Sequence, residues 1–474
     1  MFIGTFYYAI PETLQSLNIT SIYYIAFVFI VFVLSRTYKS IIRPDVLLLA
    51  HIVFLWSFSL YDLAAITVLA LLGYVFSLLI NYKKNKLLLG IEIIYYILSL
   101  CFFKYNHFFI SDSIIMPLGL SFYSFKIISY LFDIYRGDYP CEKNIIYYLD
   151  YVMFFPTITA GPINRAKSFI DELHNKPEFD YKFAKGGAFR MLLGIFEKMV
   201  FCDYIGILVN NIFNNQELMG MNMVLGVILY SFQIYLDFDA LSNIAIGTAE
   251  LLGFRIPKNF NSPYLASSLN DFWRRWHISL STWFRDYLYI PLGGNRKGTF
   301  RRYLNLIIVF VVSGLWHGST WNFLLWGLLH GVIQVIENII IKLLKLKEVK
   351  GPFKYVLHVM GIVINFSIVS MLWLVFKCQT LNEVMQIINR MMINQSFSIE
   401  LLGITQVELY WLITILVLVI ITDILRDRFD MIEKFNNQFF IVRWAIYFIL
   451  IVMFVVFGVY GGSFEANDFI YRFF

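Results

Sequence analysis

Several long stretches of this 474-residue chain contain no charged side chain at all. Thr13 to Ser35, Leu63 to Tyr82, Leu218 to Leu236, Tyr355 to Phe376 and Trp444 to Gly462 are free of Asp, Glu, Lys and Arg. Each approaches or exceeds the roughly 20 apolar residues needed to cross a bilayer. Hydrocarbon offers no partner to backbone N–H and C=O groups, so such segments must be helical. Apolar residues make up 59% of the chain and charged ones 15%, too few charges to coat a soluble surface of this size. The expected fold class is an all-α polytopic membrane protein. Residues 1–474 read as a single membrane-embedded domain, because no linker, repeat or soluble region interrupts them.

The net charge of +6 is not a nucleic-acid signature. Basic residues gather between the hydrophobic runs: Arg36, Lys39 and Arg43; Lys83, Lys84 and Lys86; Lys342, Lys345, Lys347, Lys350 and Lys354; and Arg426, Arg428, Lys434 and Arg443. The positive-inside rule places these clusters in the cytoplasm. That places the N-terminus, the 377–406 loop and the C-terminus outside. The N-terminus lacks a basic leader region and a small-residue cleavage site, so the first run is expected to be retained. Cys101, Cys141, Cys202 and Cys378 show no CxxC spacing and read as isolated packing cysteines, although Cys101 and Cys378 could both face outward.

Between about 113 and 300 the runs are interrupted by Pro117 and Gly119, by Pro156, Gly161 and Pro162, and by Asp237, Asp239 and Asn243. Charges at bilayer depth face protein or water, so Asp237 and Asp239 either lock two helices together or belong to a site. The segment from Asp271 to Gly294 is too charged to cross lipid and too aromatic for an ordinary loop. Helical spacing puts Phe272, Trp276, Ser279 and Trp283 on one face, as in a helix at the membrane interface. His277 lies between its aromatic clusters.

Tyr303 to Ile336 holds about 34 residues without a full charge, flanked on both sides by basic residues. The chain must go up and come back, with the break at Ser313 to Ser319. Fourteen helical residues from Tyr303 to Trp316 rise only about 21 Å, which places the turn within the membrane's thickness. His317 is then expected at the floor of a cavity. A buried imidazole is suited to take a hydroxyl proton and return it to a leaving thiolate, and the glycines around Trp316 and His317 would let another chain or a substrate backbone approach closely. His330 reads as packing. HExxH and Cys/His ligand spacings are absent, so no metal is expected; GxSxG, GxGxxG and P-loop patterns are absent too.

The segments Pro117 to Gly137, Phe154 to Arg165, Asp271 to Arg296 and Ser313 to Gly331 resemble the membrane-bound O-acyltransferase family, in particular its alginate O-acetyltransferase branch. The resemblance is strong over about 115–335, the motif-bearing core; residues 355–474 carry C-terminal spanning helices and the ending DFIYRFF, which is similar to that branch. It implies a ring of about 11–13 transmembrane or re-entrant helices around a central funnel. The family's essential histidine matches His317 and its second prominent histidine matches His277. Trp273, Arg274, Trp276, Ser281, Arg285, Asp239, Trp316 and Asn322 are then the candidate substrate-channel residues. No bound cofactor is expected; acetyl-CoA or another acyl thioester is the co-substrate. The expected setting is a bacterial inner membrane, with an SGNH-hydrolase-like partner outside and a surface polysaccharide such as alginate, cellulose or peptidoglycan as acceptor. D-alanyl transfer to teichoic acid is the alternative, and a non-catalytic transporter a third reading.

Overall fold

A computed structural model describes residues 17–35, 44–108, 114–175, 178–393, 397–399 and 402–459. The DFIYRFF ending and the basic cluster at 36–43 lie outside the described residues. Every regular element among them is helical. Eight helices are long and apolar enough to cross a membrane: Leu60–Tyr82, Lys86–Phe108, Met221–Leu251, Gly298–His317, Trp321–Leu343, Pro352–Lys377, Gln406–Arg428 and Phe440–Phe457. Ile22–Leu34 and Pro44–Trp56 are shorter apolar helices. Three of the eight follow Gly331, as the hydrophobic runs require. Lys86–Phe108 is less visible in sequence because it carries Glu92 and Lys104.

Contacts gather into two compact units, residues 1–195 with 241–258, and residues 196–240 with 259–474. In the first, the breaks at Pro117–Gly119 and Pro156–Pro162 fall between helices. Leu120–Arg136 begins directly after Gly119, and a short 3-10 turn, Phe155–Thr157, follows the helix Ile145–Met153. The fully buried Lys126 threads between them and donates to Thr157 Oγ1 at 3.0 Å. His51 Nε2 lies 3.6 Å from Asp150 Oδ1, both without solvent exposure. Two of the motif segments therefore build the interior of this unit.

The other two motif segments lie in the second unit, where three expectations change. The run ending at Leu236 is part of one uninterrupted helix of 31 residues, Met221–Leu251. Asp237 and Asp239 do not break it because each has a cation: Asp237 pairs with Lys198 at 2.9 Å and Asp239 with Arg426 at 2.5 Å. Lys198 also holds Asp203 at 2.8 Å, and Glu197 lies 3.6 Å from Arg426. Glu197–Cys202 is a turn of π-helix, which presents Glu197 and Lys198 side by side.

The 271–294 segment is not one interfacial helix. It forms two short helices, Leu269–Arg275 and Ile278–Phe284, broken at His277 in the left-handed region with φ 42°. A non-glycine residue rarely adopts that conformation without support. The support is Asn259, whose carbonyl accepts from Ile278 N at 2.8 Å. Phe272, Trp276, Ser279 and Trp283 are all buried.

The helix that ends at His317 begins at Gly298, not at Tyr303. Its 20 residues rise about 30 Å, but Arg301 and Arg302 occupy its first turn, so the uncharged part is still the fourteen residues from Tyr303 to Trp316. The hairpin is present, but the break expected at Ser313 to Ser319 is confined to 318–320, because the outbound helix continues through His317 before the returning helix Trp321–Leu343 begins. The hairpin's glycines let the returning helix approach closely. A Cβ on Gly314 would stand 2.2 Å from the Phe323 carbonyl oxygen, and one on Gly318 2.1 Å from the Phe323 ring.

Candidate active site

The second unit contains a cavity of about 1060 Å³. Its walls come from the two short helices, from the outbound helix Gly298–His317 and from the returning helix Trp321–Leu343. Each wall is held in place. Ser268 caps the first short helix by accepting from Asp271 N at 3.2 Å, and Glu337 of the returning helix accepts from Leu269 N at 3.0 Å. At its far end Arg275 pairs with Asp271 at 3.0 Å and Asp427 at 2.5 Å. Arg285 sits on a π-helical turn, Arg285–Tyr289, and pairs with Asp286 at 2.8 Å.

The lining is electrostatically lopsided. Arg274, Arg285, Arg302, Lys342 and Lys345 contribute five cations against one acid, Glu348. Lys342 and Lys345 belong to one of the basic clusters that separate the hydrophobic runs. Apolar residues such as Leu306, Val309 and Phe310 cover the remainder. The arrangement suits a ligand with an anionic end and an apolar end.

Four of the sequence-derived channel residues, Trp273, Arg274, Ser281 and Arg285, line this cavity. The remaining candidates lie elsewhere. Trp276 is buried in a ring cluster with Phe260 at 5.0 Å and Trp373 at 4.8 Å. Asp239 is held by Arg426. Asn322 donates to the Cys378 carbonyl at 2.7 Å and so ties the hairpin to the end of Pro352–Lys377. All four cysteines are free thiols.

His317 is 2% exposed and is not on the cavity wall. Its ring meets Trp316 at 4.8 Å, Trp326 at 5.1 Å and Phe376 at 5.4 Å. The cavity nevertheless reaches Ser313, one helical turn below. His277 is 1% exposed, with Nδ1 3.0 Å from Asn259 Oδ1, which also accepts from Ser279 Oγ at 2.9 Å. Nε2 has no hydrogen-bond partner among the described residues. Burial pushes this imidazole down to about 3, so it is neutral near pH 7. A path of ring contacts joins the two histidines through Phe260, Trp276, Trp373 and Trp326.

A sequence profile of the membrane-bound O-acyltransferase family matches residues 5–381. The chain belongs to that family. The match includes the first hundred residues, where individual motifs are weak. Among relatives, the probable alginate O-acetylase AlgI of Pseudomonas putida is 37% identical over 318 residues, 63% of each chain. The peptidoglycan O-acetyltransferase of Helicobacter pylori is 31% identical over 350 residues, 65% of each chain. The teichoic acid D-alanyltransferase of Bacillus subtilis is 29% identical over 281 residues, 56% of this chain and 69% of that one. The aligned part thus spans less than two thirds of the length of the two O-acetyl-transferring relatives.

Sequence reasoning missed Asn259, which lies outside the quoted motifs; the only signal was an amide beside a turn-rich stretch. It also missed Trp326 and Trp373, which look like ordinary apolar residues on spanning helices. Arg302, Lys342 and Lys345 were visible, but as topology markers and not as cavity lining.

Proposed function

We propose that this protein is a membrane O-acyltransferase that takes an acetyl group from a phosphate-bearing thioester in the basic cavity. The acceptor is a hydroxyl of a surface polysaccharide, and His317 is the general base. The observation that carries this reading is the single face of helix Gly298–His317. It bears Arg302 at the basic end, lines the cavity through Leu306, Phe310 and Ser313, and comes next to His317. Residues three or four apart share a helix face, so an anion held at Arg302 would direct its other end towards His317.

In the reaction the acceptor oxygen attacks the thioester carbonyl while its proton passes to the His317 imidazole. The C–O bond forms, the C–S bond breaks, and the imidazolium returns the proton to the departing thiolate. His277, with its proton on Nδ1, offers a bare Nε2 as acceptor for a second hydroxyl. Stronger identity to O-acetyl-transferring relatives than to the D-alanyltransferase supports acetyl as the group. The basic residues at the donor end support a cytoplasmic donor and hence an acceptor outside a bacterial inner membrane, reached through an SGNH-hydrolase-like partner.

The test is a His317→Ala strain with protein level checked by immunoblot. Mild base should release about 10²-fold less acetate from the surface polymers, the lower end of what a general base contributes. Normal acetate release would sink the proposal. Loss of D-alanyl esters with acetate unchanged would establish D-alanyl transfer instead.

A further inference from the structure

Two helical faces lead out of the cavity at its inner end. On the outbound helix the lining runs through Leu306, Phe310 and Ser313, and four residues on is His317. On the returning helix it runs through Lys342, Asn338 and Gln334, and four residues further in is His330. The two walls therefore continue past the cavity as His317 and His330.

Trp273 stands at this end. It lines the cavity, and its indole Nε1–H donates to His330 Nδ1 at 3.3 Å. The Trp273 ring meets Phe310 of the cavity wall at 5.3 Å, and behind it the space is filled by Trp326 at 5.8 Å and His330 at 5.1 Å. His330 and Trp326 have no solvent exposure. The hydrogen bond requires His330 to be neutral at Nδ1, with its ring proton on Nε2.

We propose that Trp273, held in place by His330, sets the depth of the donor cavity and so restricts the donor to short acyl groups. The inference rests on reading the cavity as the thioester site. A chain of two carbons ends at the indole. Each further methylene has to displace a ring that is hydrogen-bonded to His330 and packed against Phe310 and Trp326, and close-packed interiors resist such insertion. His330 is a positioning residue in this arrangement; Trp273 makes the contact.

The test measures dissociation constants of acetyl-, butanoyl- and hexanoyl-coenzyme A with the full chain in lipid nanodiscs. Wild-type protein should bind the acetyl thioester about tenfold more tightly than the hexanoyl one, within the range that overpacking commonly costs. Trp273→Ala and His330→Ala should bring the two within about twofold, still on the logarithmic scale of affinity. His330→Asn keeps an acceptor near the Nδ1 position and should restore the discrimination. Trp273→Leu gives a graded second variant should Trp273→Ala fail to fold. Equal binding of hexanoyl and acetyl thioesters by wild type overturns the proposal. So does an unchanged preference in variants with normal unfolding midpoints. If no thioester binds wild type at all, the donor-site reading fails and this proposal falls with it.

Discussion

Asn259 Oδ1 lies 3.0 Å from His277 Nδ1 and accepts from Ser279 Oγ at 2.9 Å. One amide oxygen thus fixes the imidazole tautomer and holds the left-handed break between two helices. Asn259→Ala leaves a buried ring N–H and a buried hydroxyl without their acceptor. Chemical denaturation should show a loss of about 1–3 kcal/mol. Asn259→Asp keeps the acceptor but adds a charge that favours imidazolium. A variant that folds normally but transfers acyl at least about tenfold more slowly assigns His277 a chemical role. Undiminished transfer by Asn259→Asp would make the amide purely structural.

The basic cavity makes donor binding sensitive to salt. Arg302→Gln and Lys342→Gln should each weaken acetyl-coenzyme A binding by about fivefold at low ionic strength, corresponding to roughly 1 kcal/mol. The difference should shrink in high salt, where exposed charges are screened. A salt-independent loss would indicate a packing defect.

Lys198 is buried between Asp203 and Asp237, 2.8 and 2.9 Å from Nζ. Lys198→Met removes the cation shared by two buried carboxylates and should cost about 3–5 kcal/mol in unfolding experiments. Adding Asp237→Asn should recover part of that loss, because the two positions are coupled. Strict additivity would show that the ion pair is not what holds the helices together.

Burial pushes the Glu172 carboxyl up to about 7 although Arg255 donates its backbone N–H to it at 3.0 Å. Its folded value lies above the ordinary 4.5, so the folded state binds more protons and stability falls as pH rises between those values. The thermal midpoint of wild type should decline from about pH 5 to about pH 8, and Glu172→Gln should decline less. Parallel curves would place the titrating group elsewhere.

The membrane-spanning class was legible because it depends on local composition: an uncharged run long enough to cross lipid has few alternatives to a helix. The hairpin ending at His317 was legible from its charge flanks for the same reason. Its length was not, since Arg301 and Arg302 look like a boundary in sequence and are accommodated as the first turn of a helix. Asp237 and Asp239 looked like an interruption because their cations, Lys198 and Arg426, come from distant positions.

The sequence by itself determined the class and the family, since these follow from runs and motifs whose meaning is carried by neighbours in the chain. Only the tertiary structure decided what each polar residue faces. It put Asp239 against Arg426 and Asn322 against Cys378, and it placed Trp273 on a cavity wall against His330. Those partners are separated by 187, 56 and 57 residues. Desolvation in a packed interior selects such pairs, and no local pattern in the chain encodes them.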